Sequence, residues 1–176
     1  TQWLLDHLPL LQPQAGHGEL YLTDLVGLAA KENETITAHQ GTEIEVMGIN
    51  DRVELARAED ILRERINQHW MLNGVTLIDP ARTYIEASVT IGIDTVILPN
   101  TSLEGQTRIG TDCVIGPNSI VRDSRIGNHC VITASMIESA TLENQVDVGP
   151  FSHLRAGAYL AQGVHIGNFA EVKNSK

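Results

Sequence analysis

The stretch Thr107-Arg-Ile-Gly-Thr-Asp-Cys-Val-Ile-Gly116 holds an Ile-Gly pair at Ile109 and another at Ile115, six residues on. A helix returns a side chain to one face roughly every 3.6 residues and a strand every two, so a beat of six belongs to neither alone. Followed outward, the beat runs through Ile85, Ile91, Ile97, Leu103, Ile109, Ile115 and Val121, then, after slips of one residue, through Ile126, Ile132 and Ile137. It locks again through Leu142, Val148, Leu154, Leu160, Ile166 and Val172.

A second register keeps the same phase. Two residues before these aliphatics stand Thr83, Val89, Thr95, Thr101, Thr107, Cys113, Ser119, Ser124, Cys130, Ser135, Ala140, Val146, Ser152, Ala158, Val164 and Ala170, every one small or β-branched. Large and small inward positions in alternation, with glycine directly after an aliphatic at Gly92, Gly110, Gly116, Gly127, Gly149 and Gly167, describe short strands joined by tight corners. Three such strands close a triangular coil of about 18 residues, and stacked coils bury a continuous aliphatic column, the logic of a hexapeptide β-helix. The alternative, a β-sandwich of period-two strands, does not account for two registers held together over so long a stretch. The fold expected is a β-solenoid.

The chain has 176 residues, 42% of them hydrophobic, and no apolar run long enough to span a bilayer. Its 22 acidic residues against 12 basic ones, net −10, argue against a nucleic-acid surface, and no basic cluster offsets that balance. Any anionic ligand must be held by a local site. The chain opens on Thr1 rather than methionine and closes on Val172-Lys-Asn-Ser-Lys176, inside a repeat and without a capping element, so a piece of a longer protein is expected. Cys113 and Cys130 occupy small-residue slots three strands apart, which places them on one face in adjacent coils; a disulfide there is sterically possible, and reduced core thiols are the reading preferred.

Before the coils the pattern changes. Leu22, Leu25, Val26 and Ala29 have helical spacing, as do Leu55, Ala58, Leu62 and Ile66. The second helix is expected from Val53 to about Leu72, with Asn50-Asp51 as capping residues, Glu54 behind them and Gly74 as its stop. Between the helices Thr35-Ile-Thr-Ala and Glu43-Ile-Glu-Val alternate like short strands. The division expected is 1–50, the end of an α/β domain; 51–74, a connecting helix; and 75–176, an incomplete β-helix of about five coils.

Five segments, Gly18-Glu-Leu-Tyr-Leu-Thr-Asp24, Gly48-Ile-Asn-Asp-Arg52, Gly74-Val-Thr-Leu-Ile-Asp-Pro80, Val148-Gly-Pro-Phe-Ser-His-Leu-Arg155 and Gly167-Asn-Phe-Ala-Glu-Val-Lys173, resemble a single family in this order. That family is the bifunctional N-acetylglucosamine-1-phosphate uridyltransferases/glucosamine-1-phosphate acetyltransferases. The resemblance covers essentially the whole chain and less than half of the family's length. It implies a Rossmann-like nucleotidyltransferase remnant over 1–50 and a left-handed, trimeric parallel β-helix over 75–176. In the family, the helix acetylates glucosamine-1-phosphate from acetyl-CoA and the N-terminal domain transfers UMP from UTP with magnesium, releasing pyrophosphate. The product, UDP-N-acetylglucosamine, feeds bacterial cell-wall and lipopolysaccharide synthesis, which implies a cytoplasmic enzyme.

Residue by residue, the resemblance gives Asn50 the binding of magnesium and of UDP-N-acetylglucosamine; read alone, Asn50 is a helix cap. It gives Arg155 and Lys173 the binding of glucosamine-1-phosphate, and here the spacing speaks independently. Each directly follows an inward aliphatic, and they lie 18 residues apart, one full coil. Two cations so stacked repel unless an anion bridges them, and phosphate accepts both an arginine fork and a lysine point charge. The alternative is a pair of solvated surface cations. His153, a coil away from Glu171, is a conceivable base, but the family's catalytic histidine and acetyl-CoA contacts fall beyond Lys176, so His153 and His165 are read as surface or interface residues. His129, His153 and His165 share no column that would make a metal site. The family's glycine-rich nucleotide loop precedes Thr1, and Gly16-His-Gly18 does not replace it. No catalytic residue is expected within the chain, and the chain alone is expected to catalyse neither reaction. The rivals are another sugar-1-phosphate nucleotidyltransferase with a β-helix tail, such as the ADP-glucose or mannose-1-phosphate group, and a non-catalytic trimerisation scaffold.

Overall fold

The structure is a computed structural model that describes residues 2–13, 16 and 18–174. The chain forms two compact units, Thr1–Gly48 and Ile49–Lys176. His17 and Lys176, on which two of the expectations above fall, lie outside the described residues.

In the first unit helices α1 (Gln2–His7) and α2 (Asp24–Lys31) are the regular elements beside a 3-10 turn at Leu8–Leu10. Only Leu25 and Ala29 are buried among its described residues, as the helical spacing of that segment implies. The strands expected at Thr35–Ala38 and Glu43–Val46 do not form. The second stretch is a turn, in which Glu45 N–H donates to Thr42 O at 3.0 Å and the Glu45 carboxylate accepts from the Thr42 amide and hydroxyl at 2.9 Å. Alternation makes a strand only where a neighbouring edge completes the ladder, and no strand lies among the described residues of this unit.

In the second unit helix α3 spans Arg52–Leu72. Asp51, with extended backbone, caps it by accepting from the Val53 and Glu54 amides at 2.8 Å, and the Asn50 amide donates to Glu54 Oε2 at 2.6 Å. Asn50 is therefore not itself the cap. The helix lays Ile66 and Trp70 against the first coil, where Asn67, 1% exposed, donates to Pro80 O and Thr83 O.

Beyond Gly74 short strands alternate among three parallel sheets, the faces of a prism. The first face runs Thr76–Leu77, Val96–Ile97, Val114–Ile115, Val131–Ile132, Asp147–Val148 and His165–Ile166. The second runs Thr83–Ile85, Thr101–Glu104, Ile120–Arg122, Met136–Glu138, His153–Leu154 and Glu171–Val172. The third runs Thr90–Ile91, Arg108–Ile109, Arg125–Ile126, Thr141–Leu142 and Tyr159–Leu160. The result is a left-handed parallel β-helix of about five coils.

Both inward registers are seated as the sequence implies. Large residues from Ile85 through Leu160 and small ones from Thr83 through Ala158 are buried, while Val164, Ile166 and Val172 are partly so. The small register has a function that size alone did not reveal. Its hydroxyls and thiol accept from the matching amide one coil on: Cys113 N to Thr95 Oγ1 at 3.1 Å, Cys130 N to Cys113 Sγ at 3.4 Å, and Ser152 N to Ser135 Oγ at 3.1 Å. Buried polar groups are thereby satisfied down the axis. Both cysteines are free thiols; the hydrogen bond from Cys130 and burial push the Cys113 thiol up.

The slips are absorbed at corners without disturbing the core. Coil partners lie 18 residues apart at Thr83↔Thr101, 17 at Arg108↔Arg125 and 16 at Val131↔Asp147, yet inward residues still stack on inward residues. Each five-residue step, Val121 to Ile126, Ile132 to Ile137 and Ile137 to Leu142, contains one positive-φ residue: Asp123 (47°), Ala134 (41°) and Ser139 (47°). Gly110 is required for a different reason, close approach, since a Cβ there would lie 2.6 Å from Gly127 O.

Candidate functional site

The outer edge of the second face carries the polar residues of interest. Strand His153–Leu154 pairs with Glu171–Val172 in the register His153↔Glu171 and Leu154↔Val172, and the Arg155 amide donates to Val172 O at 2.9 Å. Arg155 and Lys173 thus occupy equivalent corners of adjacent coils, and both side chains are exposed. Asn50 sits elsewhere, exposed two residues ahead of α3. The structure brings Arg155 and Lys173 together and leaves Asn50 apart from them.

The cation pair already has an anion beside it. Arg155 Nη1 donates to Glu171 Oε1 at 2.8 Å, and this hydrogen bond first, then the charges of Arg155, His153 and Lys173, hold the Glu171 carboxyl below its ordinary range. Within the chain the Arg155 member of the stacked pair is matched by a carboxylate, that of Glu171, next to Val172. Glu171 was not foreseen in this role; the signal was its position, directly across the sheet from His153 and two residues before Lys173.

His153 does not pair with Glu171. Its Nε2 lies 2.8 Å from Glu138 Oε2, one coil back. Glu138 also accepts from Arg122 Nη1 at 3.2 Å, and Arg122 in turn binds Glu104 at 2.7 Å. The edge is consequently a ladder of paired polar side chains, Glu104 to Arg122 to Glu138 to His153, with the separate Glu171–Arg155 pair beside it. Hydrogen bonds from Ser102 first, and from Arg122, hold the Glu104 carboxyl below its ordinary range. His129 and His165 stand 3.8 Å from Asp112 and Asp147 respectively, away from this ladder.

No group of three His, Cys, Asp or Glu side chains that could hold a metal exists among the described residues. Asn50 offers one amide oxygen, and the neighbouring Glu54 carboxylate is held by the Asn50 amide, which keeps it below its ordinary range. Magnesium wants near-octahedral oxygen ligation, so these residues alone do not make its site. No helix among the described residues is long and apolar enough to cross a membrane.

The chain is similar to known proteins over most of its length. Residues 88–123 match the family model described as bacterial transferase hexapeptide (six repeats). The "Bifunctional protein GlmU" of Limosilactobacillus reuteri is 50% identical over 90% of this chain and 35% of its own length. That of Streptococcus agalactiae is 42% identical over 100% of this chain and 39% of its own. The chain therefore spans little more than a third of these relatives. Among solved structures, the acetyltransferase domain of PglB from Neisseria gonorrhoeae in complex with acetyl coenzyme A overlaps 87% of this chain and 92% of its own at 14% identity, with a TM-score of 0.36, too loose an overlap to bear on function. By sequence identity the chain is similar, over nearly all of its own length, to the bifunctional GlmU proteins.

Proposed function

We propose that these residues are the central segment of a bifunctional transferase that makes UDP-N-acetylglucosamine in the cytoplasm, acetylating glucosamine-1-phosphate and then transferring UMP to the product. The observation that carries the reading is the 40–50% identity to bifunctional GlmU proteins over most of the chain. In this reading Thr1–Gly48 closes the nucleotidyltransferase domain, α3 is the connector, and the β-helix assembles as a homotrimer. Asn50 contributes one oxygen to magnesium and contacts the uridylyl sugar, the remaining magnesium ligands coming from elsewhere in the parent. When bound, magnesium would neutralise phosphate charge in uridylyl transfer.

Arg155 and Lys173 would hold the phosphate of glucosamine-1-phosphate. The geometry adds a condition. Carboxylate and phosphate compete for the same guanidinium fork, so Glu171 must yield Arg155, wholly or in part, when the phosphate arrives. The exposed corner lets it do so without disturbing the core, because both side chains project from the coil surface. The base and the acetyl-CoA contacts are assigned beyond Lys176, so the chain alone should catalyse neither transfer. A second reading keeps the base inside the chain: His153, oriented by Glu138 at 2.8 Å, has the arrangement of an imidazole with its orienting carboxylate.

The test is thiol release from acetyl-CoA with glucosamine-1-phosphate, run on this chain and on one extended by several coils. Activity only in the extended chain supports the first reading. Activity in the short chain, abolished by His153→Gln, supports the second. Silence in both moves weight to another sugar-1-phosphate nucleotidyltransferase or to a scaffold, and retention of phosphosugar binding by Arg155→Ala would remove that residue from the site.

A further inference from the structure

The third face carries a second pair of cations, built differently from the first. Arg108 and Arg125 are direct cross-strand partners on neighbouring parallel strands, and both are exposed. Adjacent strands lie about 4.8 Å apart, and like charges directly opposite on one sheet face are destabilising. Elsewhere this chain places a carboxylate against each stacked arginine: Arg122 sits between Glu104 and Glu138, and Arg155 against Glu171. Among the described residues Arg108 and Arg125 have neither an ion pair nor a side-chain hydrogen bond, although the chain carries 22 acidic residues with which to supply one.

What flanks the pair is also informative. Thr90 is the cross-strand partner of Arg108 and Thr141 that of Arg125, so the outward column reads Thr90, Arg108, Arg125, Thr141. The column is made entirely of groups that can donate, and none of them carries negative charge. The acids flanking it are engaged by other groups: Asp123, two residues before Arg125, accepts from the Gln106 amide at 2.9 Å, and Glu143 accepts from the Tyr159 hydroxyl and the Gln162 amide. Two guanidinium forks one strand apart with a hydroxyl on either side match an anion having several acceptor oxygens spread over a tetrahedron or two.

We infer that Arg108 and Arg125, flanked by Thr90 and Thr141, form a binding site for a phosphoryl group, separate from the Arg155/Lys173 corner. The site lies in the middle of a face rather than at a corner, and on coils nearer α3. It requires neither of the transfer reactions proposed above. A phosphoryl group reaches it either as free phosphate or pyrophosphate, or as the ester of a larger molecule.

The experiment is isothermal titration at low salt of the full chain carrying Arg155→Ala and Lys173→Ala, which silences the corner pair. The probes are inorganic phosphate, inorganic pyrophosphate and glucose-1-phosphate. Saturable binding of at least one probe is expected, weakened about tenfold or more by adding Arg108→Gln and Arg125→Gln, as loss of two charge-assisted donors requires. Tighter binding of pyrophosphate than of glucose-1-phosphate identifies the free anion as the ligand, and the reverse order identifies the ester. Circular dichroism keeps a folding defect distinguishable, since removing a repelling charge pair should leave the thermal midpoint unchanged or raised. Absence of binding by the parent, or equal binding after the arginines are removed, overturns the inference. A change in mass on removing the arginines without any loss of anion binding does so too, and assigns the pair to a contact between copies of the chain.

Discussion

Residues 1–48 and residues 49–176 treat their apolar side chains in opposite ways. In the coils two inward registers are buried almost without interruption, with Ile97, Leu103, Ile115, Ile132, Ile137 and Leu154 at 0% exposure. In the first unit Leu5, Leu10, Leu20, Leu22, Ile36 and Val46 are exposed, and Leu25 and Ala29 alone are buried among its described residues. The difference is geometric. A coil completes its own buried column as soon as a second coil stacks on it, because each side chain needs only the same slot one coil away. In residues 1–48 the helical spacing of α2 buries only Leu25 and Ala29 among the described residues, and the alternating stretches Thr35–Ala38 and Glu43–Val46 form no strand.

The sharpest way to break this comparison is to make one substitution in both units. Leu103→Ala should lower unfolding stability by about 2–5 kcal/mol, because the stacked column cannot collapse around the hole. Chemical denaturation followed by circular dichroism measures it. Leu25→Ala, though also buried, should leave that coil transition where it was, since Leu25 belongs to the other compact unit.

Next in size is a contrast between glycines within the coils. Gly110→Ala drives a Cβ to 2.6 Å from the backbone of the next coil and should cost about 1–3 kcal/mol, with loss of coil stability in the same assay. At Gly163, with φ +74 and nothing within 4 Å, alanine meets only the left-handed backbone, and the expected cost is about 1 kcal/mol. Equal losses at the two sites would show that close approach is not what Gly110 serves.

Smaller again is the cap of α3. Asp51→Ala removes an acceptor shared by two amides and should cost about 1 kcal/mol, whereas Asn50→Ala, which leaves Asp51 in place, should cost much less. Thermal unfolding of the two variants measures the difference.

The smallest effect sharpens the site rather than the fold. The Glu171 carboxyl is held below its ordinary value of 4.5 by Arg155, so the pairing is present above that value and is lost as pH falls through the lower, folded-state value. A carbon-detected NMR titration of Glu171 should give a midpoint below 4.5, moving up toward it in Arg155→Ala. Both groups are largely exposed, so little change in global stability should accompany the shift.

The distance between what was legible and what was not follows the range of the interaction. Period six, the alternation of large and small inward residues, the long helix expected from Val53 and found from Arg52, and the stacking of Arg155 on Lys173 could all be read from residue spacing, the coils because a solenoid turns sequence separation directly into position. The partner of His153 could not, because Glu138 and Glu171 are equally one coil away and only the side-chain geometry selects Glu138. Nor could the fate of Glu43–Val46, where the pattern of a strand folds as a turn for want of an edge.

The sequence by itself determined the prism, its inward slots and the corners where its cations fall, since each depends on neighbours at a constant interval. Tertiary structure decided how charge is matched across coils: Glu171 neutralises Arg155, Arg122 bridges Glu104 and Glu138, and Arg108 faces Arg125 with no carboxylate between them. Flexible exposed side chains choose among several partners within reach, and spacing alone does not rank those choices.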